Sequence, residues 1–130
     1  MLLQAIGVVV QDLDRAREFY RRLDLEIPAD EAGHGHTEIE LDGGLRLMFD
    51  TVETIHSFDP DWTAPSGSPR VSLAFGFEAP EGVDAKYAEL ISAGATSQKA
   101  PWDAFWGMRY ATLRDPDGNG IDLFAQLPSA

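Results

Sequence analysis

Residues 115–123 read Asp115-Pro116-Asp117-Gly118-Asn119-Gly120-Ile121-Asp122-Leu123. Proline fixes one backbone angle, and glycine and asparagine tolerate the left-handed region, so the stretch predicts a tight turn that runs straight into a strand. Trp106–Arg114 on one side and Gly120–Ala125 on the other then form a closing hairpin. Upstream of it, Arg70–Phe77 predicts a strand containing Val and Phe. Pro80–Ala93 predicts a helix with Val83, Tyr87, Leu90 and Ile91 on one face and Gly94 as its stop.

The amino-terminal half follows the same order. Leu2–Val10 is a Val-rich strand that ends at Asp12, whose carboxylate can cap a helix. From Leu13 to Leu23 the apolar positions Leu13, Ala16, Phe19, Tyr20 and Leu23 recur at helical spacing. His34–Leu41 alternates, with Thr37, Ile39 and Leu41 on one face and His34, His36, Glu38 and Glu40 on the other. Asp42-Gly43-Gly44 predicts a hairpin turn into Leu45–Phe49. Thr51–Pro69 has few periodic apolar positions and three prolines, so it reads as a connection. The chain is therefore expected to be one domain, 1–130, built from two βαβββ-like modules at 1–50 and 70–127, joined by a linker at 51–69. Each module is too small to bury both faces of its sheet, so the modules must pair within or between chains.

A chain of 130 residues is one domain's worth, and 44% hydrophobic with 25% charged residues excludes intrinsic disorder. Twenty-two acidic against ten basic residues give a net charge of -12. That field repels phosphate backbones and anionic lipid surfaces and attracts cationic small molecules, so no nucleic acid or membrane partner is expected. No apolar run approaches the ~20 residues that cross a bilayer, and no basic-then-apolar leader opens the sequence, which predicts a cytoplasmic protein. The absence of cysteine removes disulfides, thiolate metal sites and a cysteine nucleophile.

Three places together resemble the vicinal oxygen chelate superfamily of glyoxalase I, extradiol dioxygenases, methylmalonyl-CoA epimerase and bleomycin-resistance binding proteins. They are the opening strand running through Asp12-Leu13 to Phe19-Tyr20, the Glu81–Gly94 helix, and the stretch from Trp106-Gly107-Met108-Arg109 through Asp115–Leu123. The resemblance implies an α+β fold in which two βαβββ modules form a curved mixed sheet with helices on the convex side. It also implies a divalent metal held by one His or Glu from each of four strands. Carried over residue by residue, those positions fall on Ala5, Arg46, Arg70 and Asp122. Only Asp122 offers a ligand atom, so neither a metal nor another cofactor is expected.

Strand parity supplies an independent view. Ile6, Val8 and Val10, Leu45, Leu47 and Phe49, Val71, Leu73 and Phe75, and Ile121 and Leu123 form apolar faces that should pack under helices. The opposite faces carry Arg46, Met48, Arg70, Ser72, Asp122 and Phe124, among small residues that leave room for a ligand. Arg46, Arg70 and Asp122 either form a salt-bridged plug or leave a guanidinium free to hold a ligand's carboxylate or enolate oxygen. Trp102, Phe105 and Trp106 form an aromatic cluster in the loop before the closing hairpin, and Phe58, His56 and Trp62 lie in the connection. His34, His36 and Glu40 share a strand face and resemble the cupin His-x-His-x-x-x-Glu, but the second His-bearing strand of a cupin is missing.

The expected function is metal-free binding of an aromatic or cationic small molecule by a homodimer. Arg46, Met48, Arg70, Ser72, Trp102, Trp106, Asp122 and Phe124 are the expected ligand contacts. The alternative is a lyase, isomerase or dioxygenase that works by acid–base chemistry or through an unusual metal set drawn from His34, His36, Glu38 and Asp122. An inert regulatory or interaction module is a third reading.

Overall fold

Val8 and Val10 lie on one face of an extended segment, and Leu13, Ala16, Phe19 and Tyr20 on one stripe of the helix after it. A two-residue connection folds the stripe onto the strand, and all six side chains are buried. The computed structural model describes residues 1–129 and places β1 at Ala5–Val10 and α1 at Leu13–Arg21. Asp12 caps α1 by accepting from the N–H groups of Asp14 and Arg15 at 2.9 and 3.2 Å. After α1 come β2 (His36–Glu40), a 3-10 turn at Asp42–Gly44, β3 (Arg46–Thr51) and α2 (Val52–Phe58). Then follow β4 (Ser72–Phe77), α3 (Pro80–Ser92), β5 (Thr96–Asp103), β6 (Met108–Arg114) and β7 (Gly120–Gln126).

The chain divides into two compact units, Met1–Ala64 and Pro65–Ala130. The first holds a three-stranded sheet ordered β1-β3-β2, with β1 parallel and β2 antiparallel to β3. Its core is aromatic. Tyr20 meets Phe19 and Phe49 with ring centroids 5.2 Å apart in both cases, and each buried ring contributes roughly 1.5–3 kcal/mol. The second unit holds a four-stranded sheet ordered β4-β7-β6-β5, with β4 parallel to β7. There α3 buries Val83 and Leu90, and the strands bury Ala111, Leu113, Ile121, Leu123 and Ala125. These helices and mixed sheets make an α+β architecture.

Several expectations are corrected. The 51–69 connection contains α2, a short helix capped by the Thr51 hydroxyl, which accepts from the Thr54 N–H at 3.1 Å. The first module has three strands, not four. Its Asp24–Gly35 stretch carries Pro28 and lies outside any strand, tied instead by Arg17 Nε to the Ile27 carbonyl and by the Thr37 hydroxyl to the Pro28 carbonyl. The second module has a further strand, β5, where the sequence predicts a loop; its two register shifts break the alternation that marks a strand. Val71, expected on a strand face under helices, and Ile91, expected on the apolar face of the Pro80–Ala93 helix, are exposed.

Candidate functional site

The hairpin register of the second unit decides which side chains share a face. Asp115 closes the β6–β7 turn: its buried carboxylate accepts from the Asp117 and Asn119 N–H groups at 2.8 Å and from Asn119 Nδ2 at 3.0 Å. Counting outward, Thr112 pairs with Asp122 and Tyr110 with Phe124, while Trp102 on β5 pairs with Tyr110. Ala111, Leu113, Ile121 and Leu123 face α3, so Tyr110, Asp122, Phe124 and Trp102 occupy the opposite face. Gly76 of β4 pairs with Phe124, and a Cβ there would lie 3.1 Å from the Phe124 ring, so the missing side chain makes room for that ring.

An aromatic tier results. Tyr110 stacks on Phe124 at 6.1 Å and 20°, Trp106 meets Tyr110 edge-on at 5.4 Å, and Trp102 meets Trp106 at 5.6 Å. Lys99 Nζ sits 4.7 Å from the Trp102 ring centre, a cation–π contact. The β5–β6 turn holds Trp106 at 48% exposure and Phe105 at 91%, so ring faces remain open to solvent. Tyr110 donates its O–H to Asp122 Oδ2 at 2.7 Å. Burial first, and the neighbouring Asp122 carboxylate second, push the Tyr110 phenol up to about 12, so it stays a donor at any ordinary pH. Asp122 Oδ1 keeps its acceptor capacity.

The structure brings Trp102, Trp106, Asp122 and Phe124 together on this face, with Trp102 on a strand and not in the loop. Ser72 opens β4 on the same face. Arg70 is not part of it. Strand β7 begins at Gly120, opposite Ser72, so the chain before Ser72 has no ladder partner and Arg70 lies exposed ahead of β4. The expected Arg70–Asp122 plug therefore does not form, and Asp122 takes Tyr110 in its place. Tyr110 is a site residue beyond those expected, although hairpin register counted from the turn places it opposite Phe124 and on the same face as Asp122.

In the first unit Arg46, Met48 and Asp50 of β3 share a face with His36 and Glu38 of β2. His36 Nδ1 lies 2.7 Å from Asp50 Oδ1 and Nε2 lies 3.0 Å from Glu38 Oε2; Arg46 Nη1 donates to Glu38 Oε1 at 3.2 Å. The Asp50 hydrogen bond above all holds His36 above its ordinary 6.5, and the His36 hydrogen bond holds Glu38 below its ordinary 4.5. Both imidazole nitrogens are thus engaged, which suits a bridging imidazolium better than a proton-abstracting base. His34 lies outside β2. Gly35, at φ 72°, turns the chain onto α2, where the Thr54 hydroxyl donates to the carbonyls of His34 and Gly35. The acid-lined cleft of about 590 Å³ beside it includes Asp12 and Asp30, whose carboxylates already accept backbone N–H groups.

The metal implied by the resemblance does not fit these residues. The first residue of each parallel edge strand is Ala5 in β1 and Ser72 in β4, and the partner of the third residue is Met48 in β3 and Asp122 in β7. By this internal equivalence Met48 and Ser72 replace Arg46 and Arg70 as the positions matching Asp122 and Ala5. Of the four side chains at these positions, a methyl, a thioether, a hydroxyl and a carboxylate, only the carboxylate is a good ligand for a hard or borderline divalent ion. Among the described residues, no group of three or more His, Asp or Glu side chains is placed to hold a metal ion. No described helix is long and apolar enough to cross a membrane.

Comparison with known proteins agrees with the geometry. A family model for the Glyoxalase/Bleomycin resistance protein/Dioxygenase superfamily matches residues 2–123. Among solved structures the chain is similar to a glyoxalase-related enzyme from Fulvimarina pelagi (TM-score 0.79, 17% identity, 96% of this chain and 88% of that one). It is also similar to a glyoxalase/bleomycin resistance protein/dioxygenase family enzyme from Burkholderia phytofirmans PsJN (TM-score 0.77, 21% identity, 96% and 98% covered). A third is a glyoxalase/bleomycin resistance protein/dioxygenase from Nocardioides (TM-score 0.72, 22% identity, 100% and 86% covered). No curated protein matches. At these identities the likeness shows the fold alone.

Proposed function

Because the chain belongs to the Glyoxalase/Bleomycin resistance protein/Dioxygenase superfamily, we propose that it binds and sequesters a planar aromatic small molecule, preferably a cation, without a metal. One observation carries this reading: the half-open tier of Trp102, Trp106, Tyr110 and Phe124 with the Asp122 carboxylate beside it. Rings with exposed faces offer stacking and cation–π contact, and a carboxylate already oriented by Tyr110 has an oxygen left for a ligand N–H. The net charge of -12 attracts the same class of ligand. Each sheet leaves two edge strands, and we propose that a homodimer covers some of them, which sedimentation at micromolar concentration checks.

The binding test is tryptophan quenching by proflavine, a planar cationic dye, in a Trp62→Phe background so that only Trp102 and Trp106 report. Saturable quenching that persists in excess chelator is expected. Trp106→Ala should weaken it about tenfold, the range of one aromatic pair, and Asp122→Asn should weaken a neutral analogue less than the dye. Binding that requires added metal, or quenching that never saturates, overturns the proposal.

A further inference from the structure

In a chain with 22 acidic and 10 basic residues, a surface cation readily finds a carboxylate. Arg17, Arg21, Arg22, Arg46, Lys86 and Arg109 all do so within 4.0 Å. Two guanidinium groups of the second unit do not, and both flank Ser68. Arg114 donates from Nε to Gln98 Oε1 at 3.0 Å and from Nη2 to Ser68 Oγ at 3.4 Å, both neutral acceptors. Arg70 is exposed and has no hydrogen bond or ion pair among the described residues. It lines a cleft of about 330 Å³ together with Ser66, Gly67, Ser68 and Asn119, and no described carboxylate lines that cleft.

The Ser68 hydroxyl sharpens the point. Its oxygen accepts from Gln98 Nε2 at 3.0 Å as well as from Arg114, so both lone pairs are in use while its proton remains to be donated. The Arg70 fork and the Ser68 O–H line the cleft, and Arg114, bonded to the Ser68 oxygen, brings its unspent N–H groups to the same hydroxyl, so all three offer donors. Of the turn's two carboxylates, Asp115 is buried with both oxygens bonded inside its own turn, and Asp117 is not among the residues that line the cleft. Arginine forks matched by a hydroxyl are the recognition chemistry of a tetrahedral oxyanion. We propose that Arg70, Arg114 and Ser68 form a binding site for a phosphoryl group, either as the free ion or as the end of a small phosphomonoester. The site is separate from the aromatic tier in its contacts and does not rest on the aromatic-ligand reading.

The test is a titration of the full chain with inorganic phosphate, and in parallel with phenyl phosphate, followed by amide chemical shifts at ionic strength held constant with chloride. Saturable shifts at Gly67, Ser68, Arg70 and Asn119 are expected. Arg70→Ala should weaken binding at least fivefold, and Arg70→Lys, which keeps the charge but loses the fork, at least twofold. Lys86→Ala removes the same charge elsewhere in the unit and should change binding less than twofold. Tighter binding of phenyl phosphate assigns the site to the phosphomonoester, and equal or weaker binding assigns it to the free ion. Shifts that never saturate, Arg70→Ala binding like the unchanged protein, or Lys86→Ala losing as much as Arg70→Ala each overturn the proposal.

Discussion

The β1-β3-β2 sheet and the β4-β7-β6 part of the larger sheet are built alike: an edge strand runs parallel to the strand that ends a hairpin, and a helix covers one face. Their other faces differ completely. The first carries an Asp50–His36–Glu38–Arg46 chain of alternating charges, and the second a tier of rings around a single carboxylate. One scaffold thus supports a self-satisfied charge network in one copy and a face with unsatisfied binding capacity in the other. The scaffold sets which positions share a face, and the side chains at those positions set the chemistry.

The contrast breaks most visibly at the backbone. A Cβ on Gly120 would lie 2.6 Å from the Val71 carbonyl oxygen, whereas one on Gly7 of β1 meets nothing within 4 Å. Gly120→Ala should destabilise by about 1–3 kcal/mol, the cost of forcing atoms into a filled site, and Gly7→Ala by less than about 0.5 kcal/mol. Urea midpoints of the two variants compare them directly. Equal losses would mean that the parallel pairs are not packed differently.

Acid–base behaviour separates the faces next. His36 is held above 6.5 by Asp50 and Glu38, so its contribution to stability is fully present below that value and is lost as pH rises through the elevated folded value. Glu38 is held below 4.5, so its contribution is present above that value and is lost as pH falls through the depressed one. His36→Gln should therefore cost stability at about pH 5.5 and much less at about pH 8.5. Because the imidazole is more than a third exposed, the difference should stay below about 1 kcal/mol. Tyr110→Phe should show no such change across that range, and a pH-independent loss in His36→Gln would remove the charge network from the account.

The smallest effect is spectroscopic. Phenolate absorbance should include one tyrosine titrating near pH 12, and Asp122→Asn should bring it down without reaching the ordinary 10.0, because burial is the larger cause. A full return to 10.0 would assign the shift to Asp122 alone.

Sequence patterns with a strong period were legible: the capped amphipathic α1, the closing turn at 115–119 and the alternation of β7 all stand where their residues place them. Elements with a broken period were not, and α2 and β5 are the examples. The aromatic residues Trp102 and Trp106, Asp122 and Phe124 could be nominated singly because parity and turn chemistry are local. Their assembly into a tier could not, since ring contacts depend on which strands pair and in which register.

What the sequence by itself determined is the α+β class and the hairpins, because backbone angles and hydrophobic period are properties of neighbouring residues. Only the tertiary structure decided that Asp122 pairs with Tyr110 and that Arg70 stands free beside Ser68 and Arg114. The reason is register: β7 begins at Gly120, and that long-range pairing places Ser72 in the ladder and leaves Arg70 outside it.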